Sequence, residues 1–339
     1  MAGTSTSAYL LGAGDVRFLE QPVRELGAND VRVAIVYTGI CGTDLHLYQG
    51  MQFYSTPHGP RPLGHEASGR ITEIGAGVGD FHVGDRVALI PGAPCRTCAL
   101  CRNGRPSVCS ARLGPRSGMW SRSVIAPAAI VYHLPDGISD QVGALAEPLA
   151  CAVRAIDRTG LRSGDRVCIL GGGPIGLMLL ALARASGASA TVVSEPRPFR
   201  RALAQQLGAD HAVDPVTGDV AAVVSELSGG LGADVVFEAV GSPHTVEQAL
   251  TLVAAGGSVM LVGVADPKER VSFSPAEMFA REITIRGSKE SVDTGQRVFN
   301  WLGRLDLQPL ITHTLPLAAV EKGLRVAAQG DSGKVLLKP

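Results

Sequence analysis

The run Asp165-Arg-Val-Cys-Ile-Leu-Gly171-Gly172-Gly173-Pro174-Ile175-Gly176 passes from an apolar, strand-like segment into three glycines, then into the helical pattern PIGLMLLALARA, residues 174–185. Glycines at 171, 173 and 176 make the pattern G-x-G-x-x-G. Between a strand and a helix each has a physical task. Gly171 permits the tight turn, Gly173 lets a pyrophosphate approach the backbone, and Gly176 lets the helix lie close against the strand. The helix opening at Pro174 and Ile175 offers free N–H groups and its positive dipole end to the phosphates. Alone the motif is weak, because glycine-rich turns are common. Here the next apolar run, ATVVSE, ends in Glu195, where a carboxylate can accept both hydroxyls of an adenosine ribose. An ordinary turn beside a surface glutamate explains less of that context. The Glu195 charge repels a 2′-phosphate and favours NAD over NADP. Arg197, Arg200 and Arg201 follow in SEPRPFRR. They either attract that phosphate, with Arg200 a candidate cofactor contact, or form a solvated helix face.

Around this junction, from about residue 150 to 287, strands alternate with helical patterns. The order is ATVVSE, a helix from PFRRALAQQLG, HAVD, ADVVFEAVG, a helix through VEQALTLVA, GGSVMLVG and EITIRGS. Such alternation predicts an α/β fold with a doubly wound parallel sheet, a Rossmann domain over residues 151–287. Residues 1–150 are instead rich in Gly, Pro and short β-like runs: VRFLEQPV, VRVAIVYTG, ASGRITEIG and DRVALIPG. Residues 288–339 carry two amphipathic helical stretches, VFNWLGRL and LAAVEKGLRVAAQ, and a final strand, KVLLK. A chain of 339 residues, 45% of them hydrophobic, suits about two domains with sizeable cores. Lys+Arg and Asp+Glu each number 31, which argues against a dedicated nucleic-acid binder or a strongly acidic partner. MAGTSTSAYLLGAG lacks the basic and apolar regions of a secretory signal. PIGLMLLALARASGA is broken by Arg184 and too short to span a bilayer. The expectation is a soluble, cytoplasmic protein with no membrane or nucleic-acid partner.

Four of the seven cysteines lie in CRTCALCRNGRPSVC: Cys95, Cys98, Cys101 and Cys109. In a reducing compartment clustered thiols bind metal more readily than they pair. The spacing C-x2-C-x2-C-x7-C lets one loop, about residues 91–112, wrap a tetrahedral Zn²⁺. A ferredoxin-type run would close with x3 and a proline, whereas Ser110 follows Cys109 here. Four thiolates leave no open position, so this zinc is structural and the chemistry lies elsewhere. A second set is scattered: Cys41 in GICGTDLH, His65 and Glu66 in LGHEASG, and Glu147 in LAEPLAC. Singly each has a bland reading, as a core cysteine, a structural histidine or a helix-end glutamate. Together one thiolate, one imidazole and a carboxylate make a three-ligand zinc set with an open position.

In the order CGTD, GHE, C-x2-C-x2-C-x7-C, EPL and GGGPIG the chain resembles the zinc-dependent medium-chain alcohol and polyol dehydrogenases, most of all the sorbitol and threonine dehydrogenase branch. The resemblance covers nearly the whole chain. It implies a GroES-like, β-rich catalytic domain interrupted by the Rossmann domain and completed by residues 288–339. It also implies two Zn²⁺ per chain, NAD as cofactor, a small alcohol or polyol as substrate, and a homo-oligomer, tetramer or dimer. By the same resemblance Cys41 and His65 are catalytic ligands. The third is Glu66 or Glu147, and that choice stays open. Cys151 and Cys168 are packing residues. Zinc makes the substrate hydroxyl more acidic while hydride passes to the nicotinamide. The family's proton relay maps onto Thr43, the cofactor ribose and His46. Asp44 maps onto a carboxylate that orients His65. Tyr48, Phe53, Tyr54, Trp120 and residues 288–293 are candidates to line the substrate pocket.

Overall fold

The computed structural model describes residues 4–51, 59–289 and 294–339. Phe53, Tyr54 and residues 290–293 of the expected pocket lie outside the described residues. Two compact units form: one of Met1–Ala150, Ser291–Gln329 and Lys334–Pro339, the other of Cys151–Glu290 and Gly330–Gly333.

In chain order the first unit begins with β1 (Thr4–Gly12), β2 (Asp15–Pro22), β3 (Asp30–Gly39), helix α1 (Gly42–Tyr48), β4 (Arg61–Pro62), β5 (Ala67–Ile74) and β6 (Arg86–Leu89). There follow α2 (Ala99–Arg102), β7 (Ser123–Pro127), β8 (Val131–His133), α3 (Asp140–Gly143) and α4 (Ala146–Thr159), the last of which runs on into the second unit. The second unit continues with β9 (Arg166–Leu170), α5 (Pro174–Ala185), β10 (Ala190–Ser194), α6 (Pro198–Gln206), β11 (His211–Val213) and α7 (Val220–Ser228). It closes with β12 (Ala233–Glu238), α8 (Pro243–Leu252), β13 (Val253–Leu261), α9 (Pro275–Ala280) and β14 (Thr284–Gly287). The chain then returns to the first unit as α10 (Gly295–Leu302), β15 (Ile311–Pro316), α11 (Val320–Gln329) and β16 (Lys334–Lys338).

The first unit is built on a sheet in the order β15-β16-β3-β5-β6-β8, with β7 also pairing β3, and a small sheet β2-β1-β4. Along β3, Val31, Val33 and Ile35 alternate inward and pack with Ile71, Val87, Leu89 and Ile130. That is the period of a strand with one face on the core. The sequence β16 comes last in the chain yet pairs antiparallel with the end of β3, Leu336 opposite Gly39. The final five-residue strand thereby reaches the end of β3 just before Cys41.

The second unit holds one parallel sheet, β11-β10-β9-β12-β13-β14, the strand order of a Rossmann fold. Its central strand β9 is buried along nearly all its length rather than alternating, because helices cover both faces. Cys168, Val192, Val236 and Val259 pack with Val224 and Leu252. Cys168 is a packing residue, its thiol pushed up to about 12 by burial. Chain order reverses between β9 and β12, and dinucleotides bind at such a switch point.

Among the elements the sequence pattern missed are β1, β4, β7, β8 and β15, and helices α7 and α9. β11 and β12 follow one another in the chain and run parallel in one sheet, so their connection must cross over, and a helix was implied there even without a clear pattern. Strand β13 starts at Val253, directly after α8, earlier than the GGSVMLVG run suggests. We expect Phe237→Ala, which empties a wholly buried site on β12, to destabilise the second unit by about 3–5 kcal/mol. Urea unfolding of wild type and variant measures this.

Candidate active site and metal centres

Three of the scattered candidates meet. Cys41, at the mouth of α1, and His65 and Glu66, just before β5, place one ligand atom each within 4.8 Å of the others. Their backbones are tied together. Gly39 N–H donates to Glu66 O at 2.9 Å and the Thr38 hydroxyl to the same oxygen at 2.7 Å. Buried Asp44 accepts from Cys41 N–H at 3.0 Å with one carboxylate oxygen and from Gly64 N–H at 3.3 Å with the other. Its distance to His65 Nδ1 is 3.7 Å, so Asp44 acts on the imidazole by charge and holds the two ligand-bearing segments by hydrogen bonds. Burial pushes the Asp44 carboxyl up. Burial opposes charge on His65, yet Asp44, Cys41 and Glu147 together hold the imidazole well above its ordinary value. A pocket whose negative groups draw a proton onto a buried histidine suits a bound cation.

Glu147, near the start of α4, adds its charge to His65 and Lys334 and is not one of the three clustered residues. Lys334 escaped sequence reasoning. It opens β16, is buried, and its ammonium lies 2.5 Å from the Glu66 carboxylate. Desolvation pulls Lys334 down, but Glu66, Cys41 and Glu147 outweigh it and hold the ammonium above its ordinary value. The available signal was a lysine opening an otherwise apolar strand. Gly39 is required beside this pair: a Cβ there would stand 1.9 Å from Glu66 Oε2 and 2.9 Å from Lys334 Cε.

Thr43 and His46 lie one turn apart on α1. Burial lowers the His46 imidazole. Tyr48 packs against the core at the end of the same helix. Trp120, expected to line the substrate pocket, is instead 0% exposed, and its indole N–H donates to Gly39 O at 3.0 Å. Its N–H finds a backbone acceptor, so the ring is core.

The sulfur atoms of Cys95, Cys98, Cys101 and Cys109 lie within 4.8 Å of one another. Cys109 Sγ is 3.5 Å from Cys95 Sγ and 3.8 Å from Cys98 Sγ. A Zn²⁺ with tetrahedral sulfurs at about 2.3 Å separates them by about 3.8 Å, whereas a disulfide is about 2 Å long. Backbone N–H groups of Cys98 and Ala111 already point at these sulfurs. The Cys101 and Ser110 backbone holds the Cys98 thiol down at about 5. The lobe fits a tetrahedral zinc, with no coordination position left over.

In the second unit Gly171 adopts φ +105°, and a Cβ on Gly176 would stand 1.8 Å from Gly171 O, so turn and helix need both glycines. Gly173 caps α5 and no side chain caps its N–H groups. Glu195, just after β10, accepts from Gly172 N–H at 2.8 Å and from Arg197 N–H at 2.9 Å. Arg200 is anchored through Nε to Ser332 O at 3.0 Å, and its Nη1 is the nearest atom to a Cβ built on Gly173, at 3.8 Å. Glycine turn, carboxylate and Arg200 thus form one cluster at the C-terminal ends of β9 and β10.

Residues 27–136 match the family profile of the alcohol dehydrogenase GroES-like domain, and residues 174–302 that of the zinc-binding dehydrogenases. The chain belongs to the zinc-dependent medium-chain dehydrogenases and is an oxidoreductase that uses zinc and NAD(P). It is similar to the sorbitol dehydrogenase of Halalkalibacterium halodurans, 33% identical with 97% of each chain covered. It is also similar to the L-threonine 3-dehydrogenase of Pyrococcus abyssi, 35% identical over 94% of this chain and 93% of the other. Among solved structures, one from Sinorhizobium meliloti 1021, described as a zinc-binding dehydrogenase bound to NADP, superposes with a TM-score of 0.91. It is 32% identical, with 99% of this chain and 100% of that chain covered. Among the described residues no helix is long and apolar enough to cross a membrane.

Lys334→Met would leave the Glu66 carboxylate buried beside other negative groups without its partner. We expect it to cost about 3–5 kcal/mol of stability, and adding Glu66→Gln to recover a large part. Urea unfolding of the single and double variants reads the difference.

Proposed function

We propose that this enzyme moves a hydride between NAD and secondary alcohols bearing a neighbouring hydroxyl, such as polyols, cyclitols or sugar-like substrates. The observation that carries this reading is the cluster of one thiolate, one imidazole and one carboxylate at Cys41, His65 and Glu66, with the charges of Glu147 and Lys334 acting on it. These three residues would hold the catalytic zinc, and Cys95, Cys98, Cys101 and Cys109 a structural one. Zinc, when bound, supplies Lewis acidity that makes a substrate hydroxyl more acidic. Thr43 then offers a hydroxyl for the released proton, and His46 an imidazole whose neutral form, favoured by burial, carries a nitrogen that can receive it. Asp44 keeps Cys41 and the His65 segment in register through its two backbone hydrogen bonds.

The substrate class follows from polarity. A site with buried carboxylates and an ammonium gains from a substrate with several hydroxyls. A simple aliphatic alcohol brings one oxygen and leaves polar groups unpaired, a penalty that can dominate discrimination. A hydroxy-amino acid is the rival substrate, and the similarity to a threonine dehydrogenase keeps it in the screen.

Gly171, Gly173, Pro174, Ile175 and Gly176 would take the pyrophosphate and Glu195 the ribose, with Arg200 beside them. The pinned Glu195 carboxylate supports NAD over NADP. A homo-oligomer, dimer or tetramer, is supported by the edge strand β14, with Ile285 37% exposed on it and Phe279 87% exposed on the preceding helix. The four-cysteine lobe, whose thiols bind metal more readily than they pair in a reducing compartment, supports a cytoplasmic setting.

Two measurements test the reading. For substrate pairs differing by one neighbouring hydroxyl, kcat/KM with NAD should be at least about tenfold higher for the diol. Equal or better rates for mono-alcohols return the enzyme to the general alcohol dehydrogenases, and a preference for hydroxy-amino acids selects the rival. Wild type should bind NAD more tightly than NADP, and Glu195→Ala should shrink that preference by about tenfold, the size of one charged hydrogen bond. An unchanged preference removes Glu195 from the ribose.

A further inference from the structure

We propose that Trp120 is a positioning residue for the metal site. It would act as a strut that sets the spacing between the segment carrying Cys41 and the segment carrying His65. The inference rests on the reading of Cys41, His65 and Glu66 as a zinc site.

Trp120 is joined to the His65 segment by its own backbone. Gly118 and Trp120 N–H groups donate to Leu63 O at 3.0 and 3.1 Å, and Met119 N–H donates to Gly64 O at 3.0 Å. The ring fills the place of a side chain on Gly64: a Cβ there would stand 2.1 Å from Trp120 Cδ1, and Gly64 holds a left-handed φ of +79°. From that anchored position the side chain reaches across to the other segment. Its Nε1–H donates to Gly39 O at 3.0 Å, two residues before Cys41. The same Gly39 gives its N–H to Glu66 O. One indole therefore touches the residue just before His65 and the residue two before Cys41, and through Gly39 it reaches the backbone of Glu66. Its other neighbours in the apolar cluster include Ile40, next to Cys41, and Leu47 of α1.

Any buried indole needs an acceptor for its N–H; what sets Trp120 apart is that its acceptor lies on the segment before Cys41 while its backbone is bonded to the segment before His65. The N–H to carbonyl bond fixes the distance between the segments, and the absent Cβ on Gly64 lets the ring come close enough to make it. Ligand groups held by such outer contacts bind metal more tightly, since their positions are set before the ion arrives.

The test compares wild type with Trp120→Phe, which keeps a ring and removes the donor. A second variant carries 3-benzothienylalanine at position 120 in a Trp301→Phe background, preserving the indole's shape and removing only the N–H. Ile130→Ala, in the separate core that packs on β3 and β5, serves as a control for general destabilisation. Each protein is loaded with zinc, and chelator competition gives the affinity of each site. Cobalt is then substituted and its visible absorption recorded. In both Trp120 variants the affinity of the Cys41 site should fall about tenfold and its cobalt bands should shift, while the four-cysteine site keeps its wild-type affinity. Ile130→Ala should lower the melting temperature and leave both sites alone. Two zinc ions in wild type with unaltered affinity and spectrum in the benzothienyl variant would overturn the strut, as would an equal loss in Ile130→Ala. Wild type holding zinc only in the cysteine lobe would instead overturn the reading of the site, and the strut with it.

Discussion

A buried ion pair holds this protein's candidate metal site together. Glu66 and Lys334 are 268 positions apart in sequence and almost fully shielded from water, with their charges 2.5 Å apart. Burying either charge alone would be costly, so each residue is tolerable inside the protein only because the other is there. The consequence is topological. Lys334 opens the last strand, β16, and Glu66 immediately precedes β5, so the return of the chain to the first unit is tied to the presence of a carboxylate beside Cys41 and His65. A chain lacking its last strand would lose a sheet neighbour and the counter-charge of buried Glu66 together.

Charge and close backbone approach support one another here. Negative groups around His65 make the pocket favourable to a cation, and a zinc ion is the cation that thiolate, imidazole and carboxylate suit as a set. The side chains converge because glycines let backbone and side chains share space. Gly39 admits the Glu66 carboxylate and the Lys334 stem, and Gly64 admits the Trp120 ring. The second unit repeats the device with another purpose. Gly171 and Gly176 let a helix start against a strand, leaving backbone N–H groups and a carboxylate at one edge of the sheet. The cysteine lobe is simpler. Its four sulfurs lie within 4.8 Å of one another, and Val108 and Leu113 beside them are exposed, so the ion would act as the lobe's core.

What the sequence determined by itself were the features written in local spacing. The pattern G-x-G-x-x-G with Glu195, the alternation from β9 to β14 and the four cysteines within one loop each report a structure whose parts are neighbours in the chain. Short-range geometry allows few other readings of them. Cys41, His65, Glu66 and Glu147 were grouped by donor type and given their roles through resemblance to a family, and neither could say which carboxylate joins the others. Tertiary structure brought Glu66 into the cluster, because the ends of β3 and the approach to β5 lie side by side in the sheet. It alone revealed Lys334, since a lysine opening an apolar strand looks like a surface charge until its partner is known. It also moved Trp120 from an expected pocket wall into the core, because only the fold supplies the Gly39 carbonyl that its indole N–H needs. Long-range pairing of buried polar groups is decided by where distant strands meet, and that information belongs to the sheet rather than to any segment of the chain.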